Sequence, residues 1–434
     1  MQRYEKYKES GVDWIGEIPE HWKVVKLKYL GKAIIGLTYS PNDLCSEKEG
    51  TLVLRSSNLL NGRFVYGEKE NSYVSSTIPE KLKIKKNDIL ICSRNGSRDL
   101  IGKCAIATEN DEGYSFGAFT TVFRSDLNHY LFKILNSNIF KNLSGSFLTS
   151  TINQLTIGNL NSISVPIPSP SEQQTIATFL DDKTAKIDQT IAIKEKEIEL
   201  LKERRQILIQ KAVTKGLDDT VKLKDSGVDW IGEIPEHWEV RKITYLFSKI
   251  GSGTTPTSGD LRYYDGVINF LQTGDLNDGY IISTSKTLKE KALRDFTSLK
   301  IYPKESLVIA MYGATIGKLG ILNIDSATNQ ACCVLSNPRN VLTKYFFFVL
   351  LAFRKEIVSM GYGGGQPNIS QDLIKSLRFP IANLNEQIQI VSHLEKIEEK
   401  IAKAILLKQQ EIERLKEYKT VLIDNVVTGK VRVS

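Results

Sequence analysis

The side chains with the clearest chemical potential in this 434-residue chain are arginines, amides and small polar residues beside glycine turns. Arginine can donate two hydrogen bonds to a guanine edge, asparagine and glutamine can recognise adenine in the same way, and aspartate can accept one from cytosine. The candidates in the first half of the chain are Arg55, Asn58, Arg94, Asn95, Ser97, Arg98 and Lys103. The candidates in the second half are Gln272, Thr273, Asp275, Tyr312, Thr315, Lys318 and Gln330. Together they predict a DNA-reading surface, although a turn-forming role or a phosphate contact competes for each residue alone.

Catalytic and metal-binding signatures do not accompany these residues. The Gly-Lys pairs that end at Lys103 and Lys318 resemble a phosphate-binding loop, but Ser97 and Tyr312 stand where that motif needs its first glycine. The four histidines lack the spacing of a zinc site, and the five cysteines contain no CxxC pair. The sequence therefore predicts a chain that is not catalytic by itself, without a metal and with reduced, mostly buried thiols.

The net charge of +8 is concentrated in two blocks of similar length. Residues 23–166 contain 18 Lys and Arg against 12 Asp and Glu, and residues 239–380 contain 17 against 11, so each block carries +6. A basic excess that divides into two equal parts favours two modules that bind a polyanion.

A thirteen-residue peptide occurs twice without a single difference, at residues 10–22 and 226–238. Such self-similarity indicates an internal duplication, and two copies indicate one chain that imitates a symmetric dimer. We call this peptide the anchor. Its apolar residues, including Trp14, Ile18 and Trp22, predict a compact cluster that fastens each basic block to the helix that follows. A partner-binding surface is the alternative interpretation of the anchor.

A long charged helix is predicted after each block. Ser169 and Glu172 form a capping box around Pro170, Asn383 and Glu386 repeat this spacing, and Gly216 is a plausible end of the first helix.

Each predicted helix has an apolar seam of alternating three- and four-residue steps, which is typical of a coiled coil. The seam residues are Ile187, Ile191, Ile198, Leu201 and Leu208 in the first helix, and Ile401, Ile405, Ile412, Leu415 and Leu422 in the second. Lys194, Arg205, Lys408 and Lys419 interrupt the seams at matching positions. We expect the helices to pair antiparallel about a pseudo-two-fold axis. Two separate amphipathic helices, each lying on its own domain, are the alternative.

The blocks between the anchors are predicted to be α/β (α+β) domains, because short apolar runs alternate with turns rich in glycine, asparagine and serine. Residues 54–62 align weakly with 271–279, and 94–103 align with 311–318 if two residues are deleted. The predicted fold is thus two mixed domains separated by two long helices that form an antiparallel coiled coil, with a pseudo-two-fold internal repeat. The predicted segments are an anchor (1–22), a block (23–166), a helix (167–222), a second anchor (223–238), a second block (239–380) and a second helix (381–434).

The whole chain resembles the specificity subunits of type I restriction-modification systems. The resemblance rests on the duplicated anchor, on Pro-x5-Glu-Gln before each helix (Pro166 to Gln173, Pro380 to Gln387), and on Gly251-Ser-Gly-Thr-Thr-Pro256. It implies two target recognition domains that each read half of a split DNA site, with the helices as a ruler for the unread spacer. The first block departs from the pattern at Thr38-Tyr-Ser-Pro41, which weakens the equivalence of the two loops there.

The resemblance also implies partners and cofactors. Two modification subunits would hold S-adenosylmethionine and methylate adenine, two restriction subunits would use ATP and Mg, and this chain would bind no cofactor itself. A stand-alone DNA-binding regulator and the specificity subunit of a methylation-only system are the alternatives. The polar start and the absence of a long apolar run predict no membrane segment, so a cytoplasmic protein of a bacterium or archaeon is expected.

Overall fold

A computed structural model describes residues 2–146, 153–362 and 368–433, with only the backbone of Ser146 included. The chain folds as two compact units, one of residues 1–194 and 409–434 and the other of residues 195–408. Each unit contains one anchor, one basic block, the beginning of one long helix and the end of the other. The segment boundaries given above remain predictions.

The strands of the two units are short. In the first unit they are β1 (Tyr7–Glu9), β2 (Glu17–Pro19), β3 (Lys23–Lys26), β4 (Lys32–Ile35), β5 (Leu44–Cys45), β6 (Thr51–Leu54), β7 (Leu59–Leu60), β8 (Arg63–Phe64), β9 (Tyr73–Val74), β10 (Ile89–Cys92), β11 (Cys104–Ile106), β12 (Ser115–Phe116), β13 (Thr120–Arg124) and β14 (Ser164–Ile167). In the second unit they are β15 (Leu223–Asp225), β16 (Glu233–Pro235), β17 (Glu239–Lys242), β18 (Phe247–Gly251), β19 (Tyr264–Leu271), β20 (Gly279–Ile281), β21 (Lys286–Leu288), β22 (Ile301–Tyr302), β23 (Leu307–Ala310), β24 (Leu319–Leu322), β25 (Ser326–Thr328), β26 (Cys332–Pro338) and β27 (Arg378–Ile381).

Two of the helices are far longer than the others. The helices are α1 (Asn128–Leu135), α2 (Asn138–Ser146), α3 (Ile157–Ser162), α4 (Pro170–Lys215), α5 (Ile243–Leu246), α6 (Glu290–Asp295), α7 (Thr343–Ala352), α8 (Arg354–Ser359), α9 (Gln371–Ser376) and α10 (Leu384–Val427). Helices α4 and α10 contain 46 and 44 residues. In the described part of the chain, no helix is both long and apolar enough to cross a membrane.

The two units share a common sheet core, to which the second unit adds β20, parallel to β24. In the first, an antiparallel sheet has the order β11-β10-β13-β4, and a second sheet has the order β12-β6-β9-β5 with β12 parallel to β6. In the second unit the orders are β18-β26-β23-β24-β20 and β21-β19-β25-β22, with β19 parallel to β25. The central strands β10 and β23 are buried along their whole length, as expected for an apolar run between two packed faces. Each basic block is therefore a mixed α and β domain.

Each anchor ends in a tryptophan that packs at the start of a long helix. Trp22 and Trp238 are among the largest fully buried side chains. The Glu172 carboxylate, in the first turn of α4, accepts hydrogen bonds from Ser169 and from His21 Nε2 at 3.0 Å. Trp238 Nε1 donates to Glu386 Oε2 at 3.1 Å in the first turn of α10. The anchors thus fasten each block to the helix that follows it, as the sequence predicted.

The same glutamates complete the predicted capping boxes. The Glu172 amide donates to Ser169 Oγ at 3.4 Å, and the Glu386 amide donates to Asn383 Oδ1 at 3.0 Å. Burial raises the pKa of Glu172, but hydrogen bonds from His21 and Ser169 outweigh this effect and hold the pKa below its usual value. The carboxylate therefore stays ionised at neutral pH, and its negative charge interacts favourably with the positive end of the helix dipole.

The long helices end against the anchors. Helix α4 stops at Lys215, and Gly216 takes a left-handed φ of +75° beside Trp238, which confirms the predicted helix end. Gly429 has the same φ after α10 and lies against the first anchor: a Cβ at this position would meet Pro19 Cδ at 2.4 Å. Within each unit, one anchor therefore contacts the start of one long helix and the end of the other.

The charged residues that interrupt the apolar seams all form ion pairs with the other long helix. The pairs are Lys194–Glu411 and Lys419–Asp188 in the first unit, and Lys408–Glu197 and Arg205–Glu398 in the second. In each unit the number of the α10 residue falls as that of its α4 partner rises, from 419 to 411 in the first and from 408 to 398 in the second, so the two helix segments run antiparallel. All ten seam residues are buried or partly buried.

Replacing Gly429 by alanine is expected to destabilise the first unit. The new methyl group would collide with Pro19 and Trp22, and an L-residue at positive φ adds about 1 kcal/mol, so we expect a loss of about 3 kcal/mol in all. The control is Gly113→Ala, which has φ +88° but no atom within 4 Å of the new methyl group and is expected to lose only about 1 kcal/mol. Thermal unfolding followed by tryptophan fluorescence measures both, and equal midpoints would contradict the packing of the helix end on the anchor.

Reversing the Arg205–Glu398 ion pair tests the antiparallel arrangement in the second unit. Arg205→Glu and Glu398→Arg alone each place like charges opposite one another, so each is expected to lower the free energy of unfolding by about 1–2 kcal/mol. The double variant is expected to recover most of that loss. The same reversal of the exposed neighbours Arg241 and Glu239 is the control and should change stability by less than about 0.5 kcal/mol. Urea unfolding of the four-member cycle measures the coupling, and its absence would contradict the pairing.

Candidate nucleic-acid interface

The loop that follows β6 is held by Asn58. Its Oδ1 accepts from the Arg55 backbone N–H at 2.9 Å, and its Nδ2 donates to the Val65 carbonyl at 3.0 Å. Asn58 is completely buried. Its side chain is not available at the surface, so we assign it to fixing the turn that presents Arg55 rather than to reading a base.

The second unit builds the same turn with a different residue. Asp275 Oδ2 accepts from the Gln272 backbone N–H at 2.8 Å, and its Oδ1 accepts from the Ser285 N–H at 3.1 Å. Asp275 therefore corresponds to Asn58 in position and in role. Gln272 and Thr273, both partly exposed, stand on this turn as Arg55 and its neighbours do in the first unit.

The loop after β10 lies beside the Arg55 turn. Asn95 Nδ2 donates to Ser56 Oγ at 3.0 Å, and Asn95 Oδ1 accepts from the Ser97 backbone N–H at 2.9 Å. The Asn95 amide thus ties the two loops together through Nδ2 and holds its own turn through Oδ1. The exposed Arg94 side chain lies over the ring of Phe119, with 5.2 Å between the guanidinium carbon and the ring centroid.

These loops enclose a cavity of about 780 Å³ in the first unit. Arg55, Arg94 and Asn95, three of the residues predicted from the sequence, line it together with Lys69 and Phe119. The described residues around it include three cations and no carboxylate. The cavity is therefore electropositive and offers an aromatic face beside planar hydrogen-bond donors, which suits a polyanion that carries flat bases.

The other predicted residues of the first unit lie outside this cavity. Arg98 Nη2 donates to the Gly145 carbonyl at 3.0 Å, Ser97 is exposed on the rim of the loop, and Lys103 is partly buried. Sequence reasoning missed Lys69 and Phe119. Lys69 lies in a stretch rich in glutamate, and Phe119 is a single aromatic residue in a turn, so neither gave a local signal.

Backbone hydrogen bonds correct the alignment of the second loop. Cys92 and Ala310 each donate from their N–H groups to the carbonyl of the loop lysine, Lys103 and Lys318, at 2.8 and 2.9 Å. Two residues after Cys92 and Ala310, Arg94 forms an isolated β-bridge with Gln154, and Tyr312 forms one with Asn368. Tyr312 therefore corresponds to Arg94 and not to Asn95, because three residues are missing from the second loop rather than two.

The equivalent surface of the second unit is neutral where the first is cationic. Gln272 and Tyr312 replace Arg55 and Arg94, and the exposed Gln330 accepts a hydrogen bond from Thr255 Oγ1 at 2.7 Å. Thr315 and Lys318 are partly buried in the shortened loop. The two units thus present different chemistry on one scaffold. The glycine run that begins at Gly361, which could contact a phosphate through its amides, lies outside the described residues from position 363 onward.

The buried thiols do not contribute to this chemistry. Burial raises the pKa of Cys104 and of Cys332 to about 12, so both remain protonated and poorly nucleophilic at neutral pH. Among the described residues, no group of three or more His, Cys, Asp or Glu side chains could hold a metal ion.

Comparison with known proteins identifies the family of the chain. The sequence profile described as "Type I restriction modification DNA specificity domain" matches it twice, over residues 19–203 and 235–416. The chain belongs to this family. Each match covers one anchor tryptophan, one basic block and the first part of one long helix.

Similar chains are found in archaea and bacteria. Two type I restriction enzyme specificity subunits of Methanocaldococcus jannaschii, MjaX and MjaIX, are 28% and 26% identical over 435 residues, covering 96% of this chain and 96% and 95% of their own lengths. The EcoKI specificity subunit of Escherichia coli strain K12 is 25% identical over 399 residues, covering 88% of this chain and 83% of that subunit.

Solved structures share the fold. A chain from a study of complex assembly and conformational transition in the type I R-M system superposes with a TM-score of 0.74 at 14% identity, covering 95% of this chain and 99% of that chain. The HsdS subunit from Thermoanaerobacter tengcongensis gives a TM-score of 0.55 at 14% identity, covering 95% and 98%. The duplicated architecture is thus that of known specificity subunits.

Lys69 is expected to contribute to DNA affinity without contributing to sequence preference. Lys69→Ala removes one cation from the cavity, so the affinity of the full chain for duplex DNA should fall about three- to tenfold for all sequences, and the dependence of log affinity on log salt should weaken by about one unit. Fluorescence anisotropy with labelled duplexes at several salt concentrations measures both quantities. Lys81→Ala, which removes an exposed cation of the same unit outside the cavity, is the control and should stay within about twofold of the unsubstituted chain.

Proposed function

We propose that this chain is the DNA-specificity subunit of a type I restriction-modification complex and that each unit reads one half of a bipartite DNA site. The observation that carries this proposal is the contrast between the two equivalent loop surfaces. Both are built by the same turns, but one presents Arg55 and Arg94 where the other presents Gln272 and Tyr312. Two basic modules of one fold with different hydrogen-bonding groups suit a DNA site whose two halves differ.

The long helices serve in this proposal as a coiled-coil spacer and as the docking site of the modification subunits. The buried seams and the antiparallel ion pairs support a coiled coil. Helix α4 also exposes Ile193, Leu200 and Ile207 at seven-residue spacing, each more than half accessible to solvent. Exposed apolar residues at heptad spacing form a face that suits partner helices. Helix α10 exposes Leu407 and Val421 at the equivalent positions, with Arg414 between them, and a face repeated in this way would recruit the same partner twice.

The chemistry of the complex belongs to its other subunits. The chain is a non-catalytic subunit, and we propose that two modification subunits supply S-adenosylmethionine for adenine methylation. Two restriction subunits would supply ATP-dependent translocation and cleavage with Mg. The chain itself would contribute sequence selection and bind double-stranded DNA, and it would require no cofactor of its own.

Mapping methylated adenines in the genome tests this function. A host that contains the chain and its modification partner is expected to methylate one split motif, two short half-sites separated by a fixed number of unread bases. Deletion of this chain alone should abolish methylation of that motif, and its return should restore it. A host in which methylation persists without the chain would contradict the proposal, and tight sequence-specific binding by the chain with unchanged methylation would favour a stand-alone regulator. Retained methylation with no restriction of unmodified DNA would indicate a methylation-only system.

A further inference from the structure

The guanidinium of Arg94 is held differently from those of the other arginines predicted in the first unit. Arg55 Nη2 donates to the Glu70 carbonyl at 3.0 Å, and Arg98 Nη2 donates to the Gly145 carbonyl at 3.0 Å. Arg94 instead lies over Phe119, and its guanidinium N–H groups have no hydrogen-bond partner among the described residues. Its donors are therefore free to meet a ligand in the cavity.

Phe119 is a fixed platform for this guanidinium. It lies in the turn between β12 and β13, and its carbonyl accepts from the Ser93 and Arg94 backbone N–H groups at 3.1 and 3.0 Å. Phe119 is 60% exposed and thus is not part of the core. A guanidinium that lies over an aromatic face is stabilised on that face, while its five N–H donors lie at the edge in its own plane. The backbone contacts keep Arg94 and Phe119 adjacent before any ligand binds.

The charge around Arg94 and the geometry of its donors determine which ligand fits the cavity. Lys69 and Arg55 line the same cavity, and no carboxylate among the described lining residues neutralises them. A guanidinium that donates two parallel hydrogen bonds needs two neighbouring acceptors. In the major groove guanine offers O6 and N7 side by side, whereas adenine places an N–H donor beside its N7.

We propose that Arg94 reads a guanine in the half-site bound by the first unit and that Phe119 is the positioning residue that holds it. This inference rests on the proposed function and names one base of the site. The equivalent positions of the second unit are Tyr312 and Ala331, because Met311 and Ala331 form the backbone contact that Ser93 and Phe119 form in the first. The second unit thus has no arginine–aromatic pair at these two positions.

The test compares methylation motifs of the complete complex in cells that express the full chain or a variant with its modification subunits. The unsubstituted chain is expected to require a guanine at one position of one half-site. Arg94→Ala should lower the preference for that guanine about ten- to a hundredfold and leave every other position of both halves unchanged. Arg94→Gln should move the preference at this position toward adenine.

Phe119 variants separate positioning from folding. Phe119→Ala should weaken the preference for the same guanine about three- to tenfold, and Phe119→Tyr should retain it, because only the latter keeps the aromatic face. Lys81→Ala is the charge control and should leave the motif unchanged.

An unchanged guanine requirement in Arg94→Ala would overturn the proposal. Equal weakening at all positions would also overturn it, since that is the result of a phosphate contact or of a structural role. Both outcomes leave the proposed function intact, whereas a motif that survives deletion of the whole chain refutes that function instead.

Discussion

The structure depends on one set of hydrogen bonds that occurs twice. In each unit an anchor tryptophan and the histidine before it contact the glutamate that caps a long helix. Glu172 closes the capping box of α4 and also receives His21, and Glu386 does the same for α10 with His237 and Trp238. Because the positive end of the helix dipole and several hydrogen-bond donors meet at one carboxylate, the direction of each helix is set at its first turn. The identity of Pro, His and Trp in the two anchors follows, since Pro19, His21 and Trp22 contact the glutamate or the end of the other helix.

With the scaffold fixed in this way, the loops separate two kinds of polar residue. The side chains of Asn58, Asp275 and Asn95 form hydrogen bonds with the backbone or with a neighbouring loop. Arg94 and Tyr312 stand at equivalent backbone positions and differ completely in chemistry. A buried polar group that loses its partner costs about 1–3 kcal/mol, so the turn-holding residues cannot vary freely. A residue whose polar atoms do not hold a turn bears no such cost, and a fold of this kind can therefore change what it reads without changing how it folds.

Local sequence patterns predicted the helix boundaries well, because caps and glycine ends are decided by residues within one turn of each other. Ser169, Asn383 and Gly216 occupy the predicted positions. The loop surface was only partly predictable. The burial of Asn58 and the exposure of Phe119 depend on strands that are distant in sequence, and a three-residue deletion in a loop leaves no periodic signal by which to place it. The polar residues of these loops were predicted as a set, but the sequence did not show which of them hold a turn and which face the cavity.

The charged residues that interrupt the helix seams explain why the duplicated helices pair in one direction. Each helix has a lysine followed three residues later by a glutamate, Lys194 with Glu197 and Lys408 with Glu411. Lysine 194 meets Glu411, and Lys408 meets Glu197, so one motif supplies both partners of two reciprocal pairs. Two copies of the same motif form both pairs only when they run antiparallel, because a parallel pairing in register would set lysine against lysine. Such partly exposed pairs contribute little net stability, and their effect lies in excluding the other orientation and register.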